Sequence, residues 1–131
     1  MTDFNYSKEN IGIIEQGEYR GRYYIIAVNG MPLHPCAYVS SCTDDNKELI
    51  GKFVHGGITW NNLGLYQYSK EGKILNSSYA LVPYWGWDYG HASDYSTVTP
   101  EGDKHTLEEV RQDVFALINL IKVYNELVNN L

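Results

Sequence analysis

A chain of 131 residues, 44% hydrophobic and 20% charged, is long enough to bury a core without metal or disulfide staples and is expected to form one domain over residues 1–131. Its net charge of −6 argues against binding long nucleic acid, which needs a basic face, but leaves room for a small phosphorylated ligand held by backbone amides. No apolar run approaches the ~20 residues of a membrane span, and Cys36 and Cys42 form no CxxC; with no signal peptide, they are expected to be reduced thiols of a cytoplasmic protein.

Met1–Asn10 is polar and reads as a lead-in. Ile11–Ile14 predicts a short strand ended by a turn at Glu15–Gly17. Tyr19–Asn29, rich in aromatic and β-branched residues, is the strongest strand signal. Asn29-Gly30 and Pro32 mark a turn, and Pro35–Ser41 should return as the hairpin partner. Thr43–Glu48 reads as a charged loop, and Lys52–Trp60 as a strand interrupted at Gly56-Gly57. Leu63–Tyr68 and Lys73–Leu75 flank a hairpin signal at Glu71-Gly72. Tyr79–Trp87 is the next strand; Pro83 within it predicts an edge or a kink. Ala92–Lys104 is a loop rich in Ser, Thr, Gly and Pro.

The period then changes. Thr106-Leu-Glu-Glu109 is a capping box, in which the threonine hydroxyl and the glutamate carboxylate satisfy helix-start amides reciprocally. Leu107, Val110, Val114, Leu117, Ile121, Tyr124 and Val128 recur at spacings of three and four, one face of a helix. A second stripe, Ala116, Leu120, Val123 and Leu127, widens the apolar surface beyond what one sheet layer covers, which predicts a homo-oligomer formed through this helix. The fold class is α+β, an antiparallel β-sheet with one long C-terminal helix.

Chemistry-bearing residues concentrate in Val54–Trp60, VHGGITW, and Ala80–Tyr95, ALVPYWGWDYGHASDY. Glycines beside polar groups let backbone approach a ligand, and the rings between them read as pocket walls. His55, followed by Gly56, Gly57 and Thr59, can exchange a proton near neutrality. His91 lies three residues from both Asp88 and Asp94, and a carboxylate beside an imidazole fixes its tautomer. Two histidines and two carboxylates could also hold a metal, but their spacing matches no motif such as HExxH, so no metal and no cofactor are assigned. His34 and His105 are expected to carry no chemistry, His105 because it sits at a solvated loop end.

The ordered motifs His34-Pro-Cys-Ala-Tyr-Val39, Val54-His-Gly-Gly-Ile-Thr-Trp60 and Trp85-Gly-Trp-Asp-Tyr-Gly-His-Ala-Ser-Asp94, followed by a helix, resemble a family of small phage-encoded proteins. That family carries an HGG-Leu/Ile-Thr-Tyr/Trp motif and a later Gly-Phe/Trp-Asp-x-x-His-x-x-Asp motif. The resemblance covers roughly Arg22 to Val128, and His55, Gly56, Gly57, Thr59, Asp88, His91 and Asp94 match it. Where the family often has a further histidine after the Tyr-Val strand, Cys42–Leu49 has none, a departure that bears on the substrate. The resemblance implies a phage origin and, by analogy with phage inhibitors of bacterial immune signalling, action in the cytoplasm of an infected host.

Three functions stay open. The first is metal-independent cleavage of a small cyclic nucleotide. His55 and His91 would be base and acid, Asp88 and Asp94 would orient His91, and Thr59 would contact a phosphate oxygen; a ribose 2′-hydroxyl would attack while bases stack on Trp60, Trp85 or Trp87. The second is sequestration of a cyclic nucleotide or ADP-ribose-type signal in the same pocket, formed by Gly56, Gly57 and the aromatic residues. The third is direct inhibition of a host defence protein through the acidic surface.

Overall fold

The structure, a computed structural model, describes residues 12–30, 33–42, 45–65, 82–91, 94 and 101–130. Among the described residues, five strands, β1 (Gly12–Tyr19), β2 (Arg22–Gly30), β3 (Leu33–Ser40), β4 (Trp60–Leu65) and β5 (Val82–Asp88), form one antiparallel sheet in the order β1-β2-β3-β5-β4. A single helical turn, α1 (Lys47–Ile50), runs into a 3₁₀ turn (Gly51–Phe53), and the chain ends in the long helix α2 (Leu107–Asn129). The expected α+β class, an antiparallel sheet with a long C-terminal helix, is what the chain adopts. No described helix is long and apolar enough to cross a membrane.

Alternation along the strands divides the sheet into two faces. Tyr24, Ile26 and Val28 of β2, Ala37 and Val39 of β3, and Trp85 and Trp87 of β5 share a core cluster with Leu107, Val110, Val114, Leu117, Ile118 and Ile121 of α2. Those helix positions are the predicted first stripe through Ile121, with Ile118 added; Val128, in the last turn, is exposed. Of the second stripe, Ala116, Val123 and Leu127 are exposed and Leu120 is half-buried. Cys36 and Tyr38 alternate onto the sheet face turned away from α2. Burial pushes the Cys36 thiol up to about 11, so it is no ready nucleophile.

Several local expectations give way to tertiary context. The Glu15–Gly17 turn is absent: β1 runs through it with a register irregularity between Ile13 and Glu15, because Glu15, Gln16 and Gly17 pair with Ile26, Ile25 and Tyr24 of β2, and Tyr24 and Arg111 also bind the Glu15 carboxylate. The chain reverses instead at Arg20-Gly21, both at positive φ (50° and 87°), inside the stretch expected to be one strand from Tyr19 to Asn29. Within Thr43–Glu48, Asn46 caps α1 by accepting from Leu49 N at 3.0 Å. Lys52–Gly57 is not a strand; only Trp60 of that segment enters the sheet. Pro83 lies in a central strand rather than at an edge. The sheet accommodates it because its carbonyl still accepts from Ser41 N (2.9 Å) while the β4 register is irregular between Asn62 and Leu65. The hairpin expected around Glu71-Gly72 lies outside the described residues.

The segment before β4 is fastened to the helix, and this places His55. Asp45, whose side chain is fully buried, pairs with Arg22 and accepts from Asn125 Nδ2 at 3.1 Å. Asn46 Nδ2 donates to Tyr124 Oη at 3.3 Å, and Ile50 and Val54 enter the core. Gly57 N donates to Val54 O (2.9 Å), closing a turn that carries His55 and Gly56 to the end of β5.

Candidate functional site

Four segments converge where β5 leaves the sheet. Tyr89 N donates to Pro35 O at 2.9 Å, and Gly90 N donates to Asp88 Oδ1 at 3.0 Å, a side-chain turn that redirects the chain. Asp94 N donates to His91 O at 2.9 Å, folding Asp94 back beneath the site. A β-bridge between Asp94 and Asp103 then brings the residues just before α2 alongside.

Asp94 is the centre of the cluster and is 1% exposed. Its Oδ2 lies 2.8 Å from His55 Nε2 and accepts from His91 N at 3.0 Å; its Oδ1 lies 2.7 Å from His105 Nε2. The other nitrogen of His105, Nδ1, meets Glu109 Oε2 at 3.1 Å. Burial by itself would raise the Asp94 carboxyl, but the bonds from His55, His105 and the His91 amide outweigh it and hold the group below the ordinary carboxylate value. For His105, burial would favour the neutral ring, yet Asp94 and Glu109 reverse the balance and raise it.

The rings are locked by packing. His55 stacks on Tyr89 with centroids 4.7 Å apart and planes 16° from parallel, and His105 lies 5.0 Å from the same ring. Tyr89 is itself fixed: Trp87 Nε1 donates to its hydroxyl at 3.0 Å, and the hydroxyl donates to Asp113 Oδ2 at 2.6 Å. Burial, then the nearby Asp113, raises Tyr89 so that it stays a phenol. The sheet, the turn and α2 therefore all hold His55 in one orientation.

His91 reaches this cluster through a close contact that only glycine permits. His55 and His91 ring centroids stand 5.6 Å apart. A Cβ on Gly56, whose φ is +71°, would lie 2.1 Å from His91 Nε2. Gly56 thus approaches through its backbone, whereas a Cβ at Gly57 (φ +78°) would meet nothing within 4 Å. His91 Nε2 is buried without a hydrogen bond; its electrostatic partner is Asp88 Oδ1 at 3.6 Å.

Asp88 also lines a groove of about 320 Å³ with Cys36, Tyr38, Thr59, Trp60 and Trp87. Tyr38 and Trp60 meet edge to face there at 5.5 Å, over Gly86, where a Cβ would strike the Tyr38 ring at 2.7 Å. Thr59 N donates to Gly86 O at 3.0 Å, which seats Thr59 at the rim. Groove and imidazole cluster are joined through Asp88 and His91.

Three placements differ from the sequence-based expectations, those of Asp94, Trp85 and His105. Asp94 does not orient the His91 ring: it accepts that residue's backbone amide and spends its oxygens on His55 and His105. Trp85 is 3% exposed within the core, and its ring offers no stacking wall. Trp87 is 1% exposed, contributes to the groove wall, and uses its indole N–H to fix Tyr89. His105 is not a solvated loop residue but a direct partner of Asp94. The Glu109 carboxylate turns to His105, so the helix start keeps only the Thr106 half of the capping box, with Oγ1 accepting from Glu109 N at 3.1 Å. The spacing of four between His105 and Glu109 was the one sequence signal for this contact.

No protein-family model, no curated protein and no solved structure matches the chain. Its chemistry therefore has to be argued from these residues.

Proposed function

We propose that the protein cleaves a phosphodiester bond in a small nucleotide, with His55 and His91 exchanging the protons. One observation carries this: two imidazoles from distant segments stand 5.6 Å apart, each beside a carboxylate, next to an aromatic groove. With Nε2 turned to Asp94, the acceptor left on His55 is Nδ1. It would take the proton of a ribose 2′-hydroxyl as that oxygen attacks phosphorus, and His91 would give a proton to the departing 5′-oxygen. The products would be a 2′,3′-cyclic phosphate and a free 5′-hydroxyl.

Thr59 at the rim is suited to a phosphate oxygen, and Tyr38 and Trp60 to a base. The acidic balance of the whole chain favours a small ligand over a polymer. The motif resemblance supplies the biological side of the proposal: a phage protein acting in the cytoplasm of an infected bacterium on a nucleotide immune signal.

The test is chromatography of a panel of cyclic mono- and dinucleotides and ADP-ribose derivatives after incubation with the protein. We expect a cleaved product, and His55→Ala or His91→Ala should slow its formation by ~10²–10⁴-fold. Ligand retained but recovered intact after denaturation would replace cleavage with sequestration. A flat calorimetric trace against the whole panel would defeat both.

A further inference from the structure

We propose that His55, Asp94 and His105 form a binding site for one divalent transition-metal ion of the zinc class. One ligand atom from each of the three residues lies within 4.8 Å of the others. Both imidazoles present the same atom, Nε2, toward the carboxylate. Two nitrogens and a carboxylate oxygen are the donor set of many catalytic zinc centres and also suit cobalt, nickel and ferrous iron.

The surroundings are those of a metal ligand set rather than of a single ion pair. One buried carboxylate needs one cationic partner, yet Asp94 has two imidazoles, and one of these is backed by a second carboxylate. A metal-bound histidine characteristically gives its other N–H to a carboxylate, which fixes the tautomer and the ring; Glu109 holds that position on His105 Nδ1. The stack on Tyr89 locks the His55 ring in the same way. Ligands ~2.1 Å from an ion at a tetrahedral angle stand ~3.4 Å apart. Each imidazole would therefore withdraw from its own Asp94 oxygen by roughly 0.6 Å, while the most widely separated ligand atoms, up to 4.8 Å apart, would close by about 1.4 Å around the ion. The side chains of His55 and His105 retain 29% and 17% exposure, which leaves an open side for water or a substrate oxygen. No sequence motif could announce the set, because its members stand 39 and 11 positions apart.

The inference concerns the same cluster as the proposed cleavage but does not depend on the substrate. An ion bound there would hold His55 through Nε2 and would supply the activation otherwise given by His55 Nδ1, so the two roles of His55 are alternatives that the metal titration separates; His91 and Asp88 keep their places in both.

The experiment uses the full chain, stripped with a chelator and titrated with Zn²⁺ and then Co²⁺, and no nucleotide is added. Calorimetry should give one site per chain with micromolar or tighter affinity, and the visible spectrum of bound Co²⁺ should show four- or five-coordinate nitrogen and oxygen ligation. His105→Ala and Asp94→Asn should weaken binding by more than ~100-fold, and Glu109→Gln, on a surface residue that folding tolerates, by ~10–100-fold. His34→Ala, outside the cluster, should change nothing. Absence of saturation at an ion concentration on the order of 100 µM overturns the proposal, since a micromolar site would be filled there. So does a Glu109→Gln variant that folds and binds as tightly as the unaltered chain. Loss of nucleotide cleavage, by contrast, leaves the metal result standing.

Discussion

The contact between Gly56 and His91 can be measured by comparing two neighbouring alanine substitutions. Gly56 and Gly57 take nearly the same backbone conformation, with φ of +71° and +78°. An L-residue in that region costs roughly 1–2 kcal/mol, so Gly57→Ala, whose Cβ would meet open space, should lose about that much. Gly56→Ala suffers the same strain and in addition places its Cβ 2.1 Å from His91 Nε2 and 2.7–2.8 Å from two further ring atoms. The imidazole must then move, which adds an overpacking cost of ~1–3 kcal/mol. We expect Gly56→Ala to lose ~2–5 kcal/mol in urea-induced unfolding, with Gly57→Ala the milder of the two. Ring-proton resonances of His91 and His55 should shift in the first variant and stay in place in the second. Equal losses, together with unmoved His91 resonances, would refute the close approach and the site geometry that depends on it.

Trp85→Ala should cost ~3–5 kcal/mol because the ring fills the core, while Trp60→Ala should cost about 1 kcal/mol but weaken nucleotide binding by ~1–3 kcal/mol; calorimetry and unfolding of both variants separate the two roles. Asp45→Ala strands Arg22 and should cost ~3–5 kcal/mol by chemical denaturation. For acid stability, burial would raise Asp45, but its bonds to Arg22, Cys42 N and Asn125 prevail, and the Arg111 bond lowers Glu15. Both folded values lie below the unfolded ones of ~3.9 and ~4.3, so the stability these groups add is complete above those values and is lost as pH falls through the folded ones. A urea midpoint unchanged from pH 5 to pH 3 would contradict this. Lastly, Val123 (49% exposed) and Leu127 (64%) leave apolar surface on α2. Val123→Glu with Leu127→Glu, both exposed, should yield a folded but smaller species by light scattering, and an unaltered protein already monomeric at high micromolar concentration would rule this out.

Much of the fold was legible because its signals are local. The 3.6-residue recurrence from Leu107 and the threonine cap at Thr106 located α2 and its buried face, since a helix repeats its own geometry wherever it packs. The β-branched and aromatic runs located the centres of β2, β3 and β5. Gly56-Gly57 was legible as a break in the segment, but not which glycine makes a close contact, because both take positive φ and only the fold sets His91 against Gly56. Illegible were features set by partners distant in sequence. The strand through Glu15–Gly17 is set by its pairing with Tyr24–Ile26 of β2, and Arg111 and Tyr24 fasten the Glu15 side chain. Pro83 sits in a central strand because β4 is irregular opposite it, and nothing in Tyr79–Trp87 records that.

The site divides in the same way. Residue types alone showed that His55, Gly56, Asp88, His91 and Asp94 are gathered in two short motifs, although the first of these was read as strand rather than turn. Their pairing was set by the fold. Asp94 belongs to His55 and His105 rather than to the ring of its neighbour His91, and Trp85 belongs to the core rather than to a ligand wall. The physical reason is that a buried carboxylate must be satisfied by whichever donors the fold brings within ~3 Å, and that choice depends on how the 54–57 turn, the end of β5 and the start of α2 meet in space.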